Sequence, residues 1–180
     1  METRDQKGLT EGEFLAAYAQ KHYPSPYLTA DLVVFSEVGE QILLVVRGSH
    51  PFLGMWALPG GFAKPNESLE ETAVRELWEE TGVSCPASQL VPVGLFSRPG
   101  RDPRGWVVSQ AYLVKLPELP TPRAGDDATQ AEWFRIERVS EEELVLVNRD
   151  LRLRIREECS NLAFDHSQML FAAMKHIDHR

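Results

Sequence analysis

One segment, residues 61–83, constrains the fold of this chain more than any other part of its sequence. It reads GFAKPNESLEETAVRELWEETGV and contains neither glycine nor proline between positions 67 and 81. The pattern therefore predicts a helix from about Glu67 to Thr81. Asn66 or Ser68 can cap the start of this helix, and Gly82 can end it by adopting a left-handed conformation. A capped helix between two loops is expected here.

The predicted helix carries three glutamates on one face. Glu76, Glu79 and Glu80 fall within an arc of roughly 100°, whereas Leu77 points to another side and is expected to face the core. Like charges at these spacings destabilise an isolated helix by about a few tenths of a kcal/mol per pair, so a compensating cation is expected. Hard divalent ions such as Mg²⁺ are bound through carboxylate oxygens. The alternative is a solvated acidic surface, which is what glutamates alone usually indicate.

The spacing of the whole segment resembles the signature of the Nudix hydrolase family. That signature is a glycine, five residues, a glutamate, seven residues, Arg-Glu-aliphatic, one residue, Glu-Glu, one residue and Gly-aliphatic. The chain supplies each position without a gap, at Gly61, Glu67, Arg75, Glu76, Leu77, Glu79, Glu80, Gly82 and Val83. Seven fixed identities coincide by chance in about one window in 10⁸ to 10⁹, so the spacing argues against a merely solvated surface.

The resemblance implies an α/β (α+β) fold, in which a mixed β-sheet is sandwiched between α-helices. Residues 1–180 are expected to form one domain, with a helical extension over 1–27, an insert with a hairpin over 139–160, and a C-terminal helix over 161–180. The residue pattern itself predicts strands at Leu32–Phe35, Ile42–Val46, Val91–Phe96, Val107–Leu116, Ala131–Ile136 and Leu151–Arg156. Gly39 indicates a hairpin between the first two of them.

The resemblance also implies a site for Mg²⁺, with Mn²⁺ as an alternative metal. The implied metal ligands are the carbonyl group of Gly61 and the carboxylates of Glu67, Glu76, Glu79 and Glu80. The implied reaction is hydrolysis of a nucleoside diphosphate linked to another moiety, by attack of water on one phosphorus. Glu79, Glu80 and Arg75 are expected to be catalytic, since Arg75 can pair with Glu79 four residues on and orient its carboxylate.

Several acids compete for the role of the base that removes a proton from water. Within the segment the choice lies between Glu79 and Glu80. Outside it, Asp126, Asp127 and Glu132 are candidates. The Asp126–Asp127 pair follows a glycine and suits a solvated turn equally well.

A Pro/Gly-rich stretch of this acidic chain holds three arginines and a tryptophan. Arg98, Arg101 and Arg104 can make bidentate phosphate contacts, and Trp106 can stack on a base. The alternative is a solvated surface loop. Arg47, in the strand before the glutamate segment, can reach a diphosphate or pair on the surface.

Further residues resemble the ADP-ribose pyrophosphatase branch of the family. Pro99 lies sixteen residues after Val83, a spacing that this branch shares, and the phrases WALPGGF, PGRDPRGWVVSQAYL and LAFDH look like it as well. The resemblance implies that ADP-ribose is hydrolysed to AMP and ribose 5-phosphate. Residues 139–160 do not match the branch, so other dinucleotides, nucleotide sugars and nucleoside triphosphates stay open as substrates.

A second class of function is a regulator that senses ADP-ribose. Some relatives with this signature are transcriptional regulators that carry a winged helix after the Nudix-like domain. Only fourteen residues follow His166 in this chain, and its signature is complete. An enzyme is therefore expected rather than a sensor.

Charge, cysteine content and aromatic residues suggest where and how the chain acts. A formal net charge of −8 disfavours non-specific binding to nucleic acid. The two cysteines form no disulfide framework, and neither a signal peptide nor a membrane-spanning run is visible, so we expect a cytoplasmic protein without a membrane partner.

The resemblance implies a homodimer. Aromatic residues outside the core pattern (Phe14, Tyr18, Tyr23 and Tyr27) and an arginine-lined strand at a sheet edge support it independently.

Overall fold

The computed structural model describes residues 3–157 and 161–178. In this part of the chain there are three α-helices, α1 (Glu11–Ala19), α2 (Leu69–Thr81) and α3 (His166–Asp178), and a 3₁₀ turn at Ala87–Gln89. The strands are β1 (Tyr27–Ser36), β2 (Gln41–Arg47), β3 (Trp56–Ala57), β4 (Gly60–Phe62), β5 (Val91–Phe96), β6 (Val107–Leu116), β7 (Ala128–Arg138), β8 (Glu143–Asn148) and β9 (Leu151–Arg156).

All of these strands belong to one mixed sheet of order β5-β6-β1-β2-β7-β8-β9. Strands β1 and β6 run parallel, from Tyr27 opposite Val107 to Ser36 opposite Leu116, whereas the other pairs are antiparallel. The short strands β3 and β4 pair with β2 and β1. They carry the chain across the central strands immediately before α2 begins.

Helices cover both faces of the sheet. Side chains alternate along β1, so Leu32 and Val34 pack on the side of α2, whereas Val33 and Phe35 pack on the side of α3. On the α2 side the helix contributes the fully buried Leu77. The predicted mixed sheet between helices is confirmed.

Helix α2 begins two residues later than the sequence pattern predicts. Asn66 has a positive φ of 66°, so the chain is not yet helical there. Ser68 is the N-cap: its hydroxyl accepts a hydrogen bond from the backbone N–H of Glu71, whose carboxylate in turn accepts one from the N–H of Ser68. Gly82 ends the helix with a φ of 66°, as predicted. Of the two caps considered, Asn66 was the wrong one.

Residues 139–157 include the β8–β9 hairpin, and β9 is an edge strand of the sheet. The arginines of β9 form ion pairs within the chain: Arg154 and Arg156 contact Glu143, at 3.1 and 2.6 Å, and Arg152 contacts Glu137. These pairs place fixed charge along the sheet edge, which discourages a further strand from adding to it. Cys159 and the end of the predicted insert lie outside the described residues.

The N-terminal helix α1 stands apart from the core. Thr10 and Glu13 form a capping box at its start, but none of its residues is buried. Its apolar side chains Phe14, Leu15 and Tyr18 are all exposed. Among the described helices, none combines the length and the apolar character needed to cross a lipid bilayer.

Candidate functional site

A cavity of about 410 Å³ opens between α2, the β3–β4 segment and the loops before β6, β7 and α3. One side of it is acidic, and its carboxylates come from Glu76, Glu79, Glu80, Asp126 and Asp127. Arginines and aromatic rings also line it, from Arg47, Arg101, Arg104, Phe62 and Phe164. The cavity therefore offers groups for cations as well as groups for an anionic, ring-containing ligand.

Arg75 organises the acidic side. Its Nε and Nη2 donate to the two carboxylate oxygens of Glu67 at 2.6 and 2.9 Å, and its Nη1 donates to Glu76 and Glu79 at 2.6 and 2.8 Å. Nη2 also donates to the carbonyl oxygen of Phe62. One guanidinium group thus ties three glutamates of the signature to the start of the loop before α2.

Glu67 binds Arg75 and does not line the cavity. Its carboxylate also accepts from the backbone N–H of Lys64 and from the hydroxyl of Thr72, both at 2.9 Å. The hydrogen bonds from Arg75 are the largest reason why the pKa of Glu67 falls to about 2. Glu67 does not line the cavity, so the structure places this predicted metal ligand behind the site.

Two glycines contact the buried glutamates. The backbone N–H of Gly60 donates to a carboxylate oxygen of Glu80 at 3.0 Å. A Cβ atom on Gly61 would lie 2.5 Å from the carboxyl group of Glu76, so no other residue fits at this position without displacing that group. The close approach explains why the signature begins with a glycine.

The carboxylates of Glu76 and Glu80 are buried and lie close to other acidic groups. Burial raises the pKa of Glu80 to about 9 against the lowering effect of the Gly60 hydrogen bond, and the neighbouring Asp127 and Glu76 carboxylates add to the rise. Burial also raises the pKa of Glu76, against the opposing effect of Arg75. A cation at this site would lower both pKa values, because it favours the ionised form.

The loop before β7 completes the acidic side. The backbone N–H of Gly125 donates to the carbonyl oxygen of Glu80 at 3.1 Å, which fastens the loop to the end of α2. One carboxylate oxygen each from Glu76, Glu79 and Asp126 then lies within 4.8 Å of the others. Three hard oxygen donors at this spacing fit Mg²⁺ or Mn²⁺, so the residues present suit the metal that the signature implies.

On the basic side, two arginines lie against aromatic rings. The guanidinium of Arg104 sits 4.6 Å from the ring centroid of Phe62 and 5.3 Å from that of Phe164. Arg47 lies 5.0 Å from the Phe164 ring and donates to the carbonyl oxygen of Pro51. These contacts hold both guanidinium groups at the cavity wall.

Arg101 lines the cavity but is fixed by another group. Its Nε and Nη2 donate to the carboxylate of Asp165 at 2.8 and 2.6 Å, and both side chains are buried. This bidentate pair joins the loop before β6 to the start of α3. Arg101 is therefore built into the wall of the site.

Besides Glu67, three further residues predicted for the site lie outside the cavity. Arg98 and Trp106 are exposed on the loop before β6, and neither residue lines the cavity. Glu132 lies on β7, where its carboxylate is near the side-chain amide of Asn148 at 3.3 Å. The structure therefore brings together Arg47, Arg101 and Arg104 from the predicted basic set, and Asp126 and Asp127 from the predicted loop acids.

Sequence reasoning gave no site role to three buried polar residues of the cavity wall. Asp31 is buried and is the only charged residue of β1, and that charge within a largely apolar run was the available signal. Asp102 is buried and bound by Arg104, which no spacing rule indicates. His166, the first residue of α3, lines the cavity as well.

Known proteins resemble the chain over most of its length. The profile of the NUDIX domain family matches residues 26–154. The "ADPR responsive transcriptional repressor NtrR" of Acinetobacter baylyi is 35% identical over 95% of this chain and 62% of its own length. The "ADP-ribose pyrophosphatase" of Methanocaldococcus jannaschii is 42% identical over 62% of this chain and 63% of its own length. The chain thus spans about three-fifths of these two curated relatives.

A solved structure supports the same grouping. The NUDIX domain of Shewanella oneidensis NrtR, complexed with ADP ribose, superimposes with a TM-score of 0.73 at 31% identity and covers 94% of this chain and 99% of that one. The signature on α2 is complete, and the family profile covers well over half of the residues. The chain belongs to the NUDIX family.

Proposed function

We propose that the protein is a divalent-metal-dependent hydrolase that splits ADP-ribose into AMP and ribose 5-phosphate. The observation that carries the proposal is a cavity lined both by a carboxylate cluster and by arginines that lie against aromatic rings. ADP-ribose combines the matching chemical groups, because its anionic diphosphate lies between two ribosyl groups. The pyrophosphatase relative and the ADP-ribose complex of the S. oneidensis domain support this choice of substrate.

Glu76, Glu79 and Asp126 are the groups proposed to hold Mg²⁺, or Mn²⁺ in its place, with Glu80 joining them once it is ionised. When bound, the metal neutralises diphosphate oxygens and lowers the pKa of water. Arg75 keeps Glu76 and Glu79 in their orientations through its Nη1 contacts. Gly60 does the same for Glu80 through its backbone N–H.

In the proposed reaction, the oxygen of water bonds to one phosphorus while the bridging P–O bond breaks. A carboxylate takes the proton of the water, and the bridging oxygen leaves with the other phosphate. Glu79 is the preferred acceptor, because its side chain is 35% exposed, lines the cavity and offers only one of its two carboxylate oxygens to the metal, whereas Glu80 is buried and bound by Gly60. Arg47 and Arg104 are proposed to contact the substrate anion from the opposite wall.

Comparing kcat/KM values over a substrate panel tests the proposal. The panel contains ADP-ribose, NADH, nucleotide sugars, dinucleoside polyphosphates and nucleoside triphosphates, each with Mg²⁺ and with EDTA. ADP-ribose is expected to exceed the others by about tenfold or more, equivalent to about 1.4 kcal/mol, and EDTA is expected to abolish turnover. A triphosphate or nucleotide sugar that wins by that margin would replace ADP-ribose as the substrate, and full activity in EDTA would end the proposal.

A second candidate is an ADP-ribose-responsive regulator, because the Acinetobacter repressor matches nearly the whole chain. Gel-shift and turnover assays on one preparation separate the two functions. Sequence-specific DNA binding that ADP-ribose reverses, without turnover, would favour the regulator. The net charge of −8 and the complete carboxylate set favour the enzyme, which we place in the cytoplasm because Cys85 is a free, buried thiol.

We further propose that the protein acts as a homodimer. Exposed apolar side chains follow one another from α1 to the start of β1, at Phe14, Leu15, Tyr18, Tyr23, Tyr27 and Leu28. The rings of Phe14, Tyr18 and Tyr23 contact each other rather than the core. A patch of this kind suits a second copy of the chain, in which the same residues would be buried on both sides of a twofold axis.

A further inference from the structure

A buried histidine connects the third helix to the segment that carries the two glycines of the site. His166 is the first residue of α3 and is 4% exposed. Its Nδ1 accepts a hydrogen bond from the backbone N–H of Leu58 at 2.9 Å. Because Nδ1 accepts, the ring proton of the neutral imidazole lies on Nε2, which is 3.5 Å from a carboxylate oxygen of Asp31. Both ring nitrogens thus face polar groups of the cavity wall.

The segment that His166 holds leads directly into the acidic side. Two residues after Leu58, the N–H of Gly60 donates to Glu80. Gly60 also lies opposite Asp31 in the β1–β4 pairing, so closely that a Cβ atom on Gly60 would be 2.5 Å from an Asp31 oxygen. The next residue, Gly61, backs the carboxyl group of Glu76. A shift of this segment would therefore move the surroundings of two buried glutamates at once.

Asp31 is itself held from a third element. One of its carboxylate oxygens accepts a hydrogen bond from the hydroxyl of Ser109 on β6, and the other faces His166 and Gly60. The residues 58–60 are thus confined between a histidine of α3 and a carboxylate of β1. The nearby Arg101–Asp165 pair already anchors the start of α3, so attaching the helix does not require the His166 contact.

We propose that His166 is a positioning residue for the metal-binding carboxylates and acts through the hydrogen bond that Leu58 donates to its Nδ1. The inference rests on the proposed function, because it assigns His166 a part in preparing the metal site of that hydrolase. His166 fixes Leu58–Gly61, and this segment in turn sets the positions of Glu80 and Glu76. Residues that orient metal ligands in this indirect way commonly contribute about 10- to 100-fold to metal affinity or activity.

Two polar substitutions separate this role from simple core packing. In His166→Asn the amide oxygen can take the place of Nδ1 and accept from Leu58, whereas in His166→Gln the amide group reaches towards the Nε2 position instead. Met174→Ala is the matched control, since Met174 is buried on the same helix and packs only in the sheet–helix core. The Kd for Mn²⁺ is measured by electron paramagnetic resonance on each full-length protein, together with Tm, kcat and KM.

His166→Gln is expected to raise the Mn²⁺ Kd and lower kcat by about tenfold or more, with little change in the KM for ADP-ribose. His166→Asn is expected to stay within about threefold of the parent protein, and Met174→Ala is expected to lower Tm while leaving the Mn²⁺ Kd unchanged. The inference is overturned if His166→Gln binds Mn²⁺ like the parent, if Asn and Gln are equally damaging, or if Met174→Ala weakens Mn²⁺ binding as much.

The Mn²⁺ measurement also separates this inference from the proposed function. If the parent protein binds Mn²⁺ but does not hydrolyse ADP-ribose, the choice of substrate is wrong, and the order of the variants in Mn²⁺ affinity still decides the role of His166. If the parent hydrolyses ADP-ribose and both histidine variants retain parental Mn²⁺ affinity, only the inference fails. A parent protein that binds no Mn²⁺ overturns both.

Discussion

Glutamine in place of Glu79 keeps the size of the side chain but removes its charge and its basicity. We expect Glu79→Gln to lower kcat by about 100-fold or more, because a general base typically contributes about 10²- to 10⁴-fold. Glu79 is partly exposed and makes one hydrogen bond to Arg75, so Tm should change little. Steady-state kinetics with ADP-ribose and thermal unfolding of the same preparations check both expectations.

Glu70→Gln is the matched control for this change. Glu70 lies on the same helix, is exposed and does not line the cavity, so its variant alters the net charge equally. It is expected to retain parental kcat. Equal activity of the two variants would remove Glu79 from the catalytic groups.

The absence of a side chain at Gly61 is itself a requirement of the site. In Gly61→Ala the new Cβ atom would meet the Glu76 carboxyl group at 2.5 Å, so this carboxyl group must move and give up its present contact with Arg75. We expect a lower Tm and a loss of Mg²⁺-dependent activity. In Gly12→Ala the added atom has nothing within 4 Å and lies in α1, where alanine is favoured by about 0.5–1 kcal/mol. A Tm for Gly61→Ala at or above that of Gly12→Ala would contradict the close approach.

At the scale of whole elements, the buried Arg101–Asp165 pair joins the loop before β6 to α3. Arg101→Ala leaves the Asp165 carboxylate buried without its partner, and breaking a buried pair in this way typically costs about 3–5 kcal/mol. Replacing both residues with leucine should recover much of that loss, because no buried charge is then unpaired. Urea denaturation of the single and double variants measures the free energies of unfolding.

An exposed ion pair provides the comparison for this prediction. Arg4 and Glu13 form a 3.0 Å contact with both side chains more than half exposed, so Arg4→Ala should lower the free energy of unfolding much less than Arg101→Ala does. If Arg101→Ala is equally mild, the loop before β6 does not depend on its contact with α3.

The elements differ in how far the sequence could predict them. Strands β5, β6 and β9 begin and end where the pattern places them, because alternating or apolar runs and the turn residues beside them act locally. The short strands β3 and β4 could not be predicted, since Trp56–Ala57 and Gly60–Phe62 are too brief to show a period. They exist because longer neighbours supply hydrogen-bond partners.

The residues of the site differ in the same way: those set by a local pattern could be predicted, and those set by distant contacts could not. The glutamates of α2 share one helix, so their relative positions follow from helical geometry. Asp126 could only be proposed as one of several loop acids, and Arg101 appeared free although Asp165, which is 64 residues away in sequence, binds it. Contacts between distant segments depend on the assembled sheet, and no local pattern encodes them.

For the molecule as a whole, the exposed aromatic patch from α1 to β1 leads to a prediction about assembly. We expect a particle of about twice the 20.3 kDa chain mass at micromolar concentration, because α1 buries none of its own residues within one chain. Placing charge on the patch, as in Phe14→Glu with Tyr18→Glu, should yield the single-chain mass. Sedimentation equilibrium measures both.

Lys21→Glu is a control for this experiment, because the substitution also adds negative charge to the chain. Lys21 is exposed and lies next to α1. It is expected to leave the mass unchanged. A fully active parent protein at the single-chain mass would rule out an obligate dimer.

The parallel pairing of β1 with β6 also determines the order in which the protein can form. Its partners are 80 positions apart, from Tyr27 with Val107 to Ser36 with Leu116, so the intervening chain must be brought together before this central pair gains any hydrogen bond. The β1–β2 hairpin needs only a short loop and can form much earlier. During synthesis on the ribosome, the acidic helix would therefore emerge long before the strand that completes the centre of its sheet. Until β6 is available, the glutamates of α2 lie beside an unfinished core, and the cavity that gives them their chemistry does not yet exist.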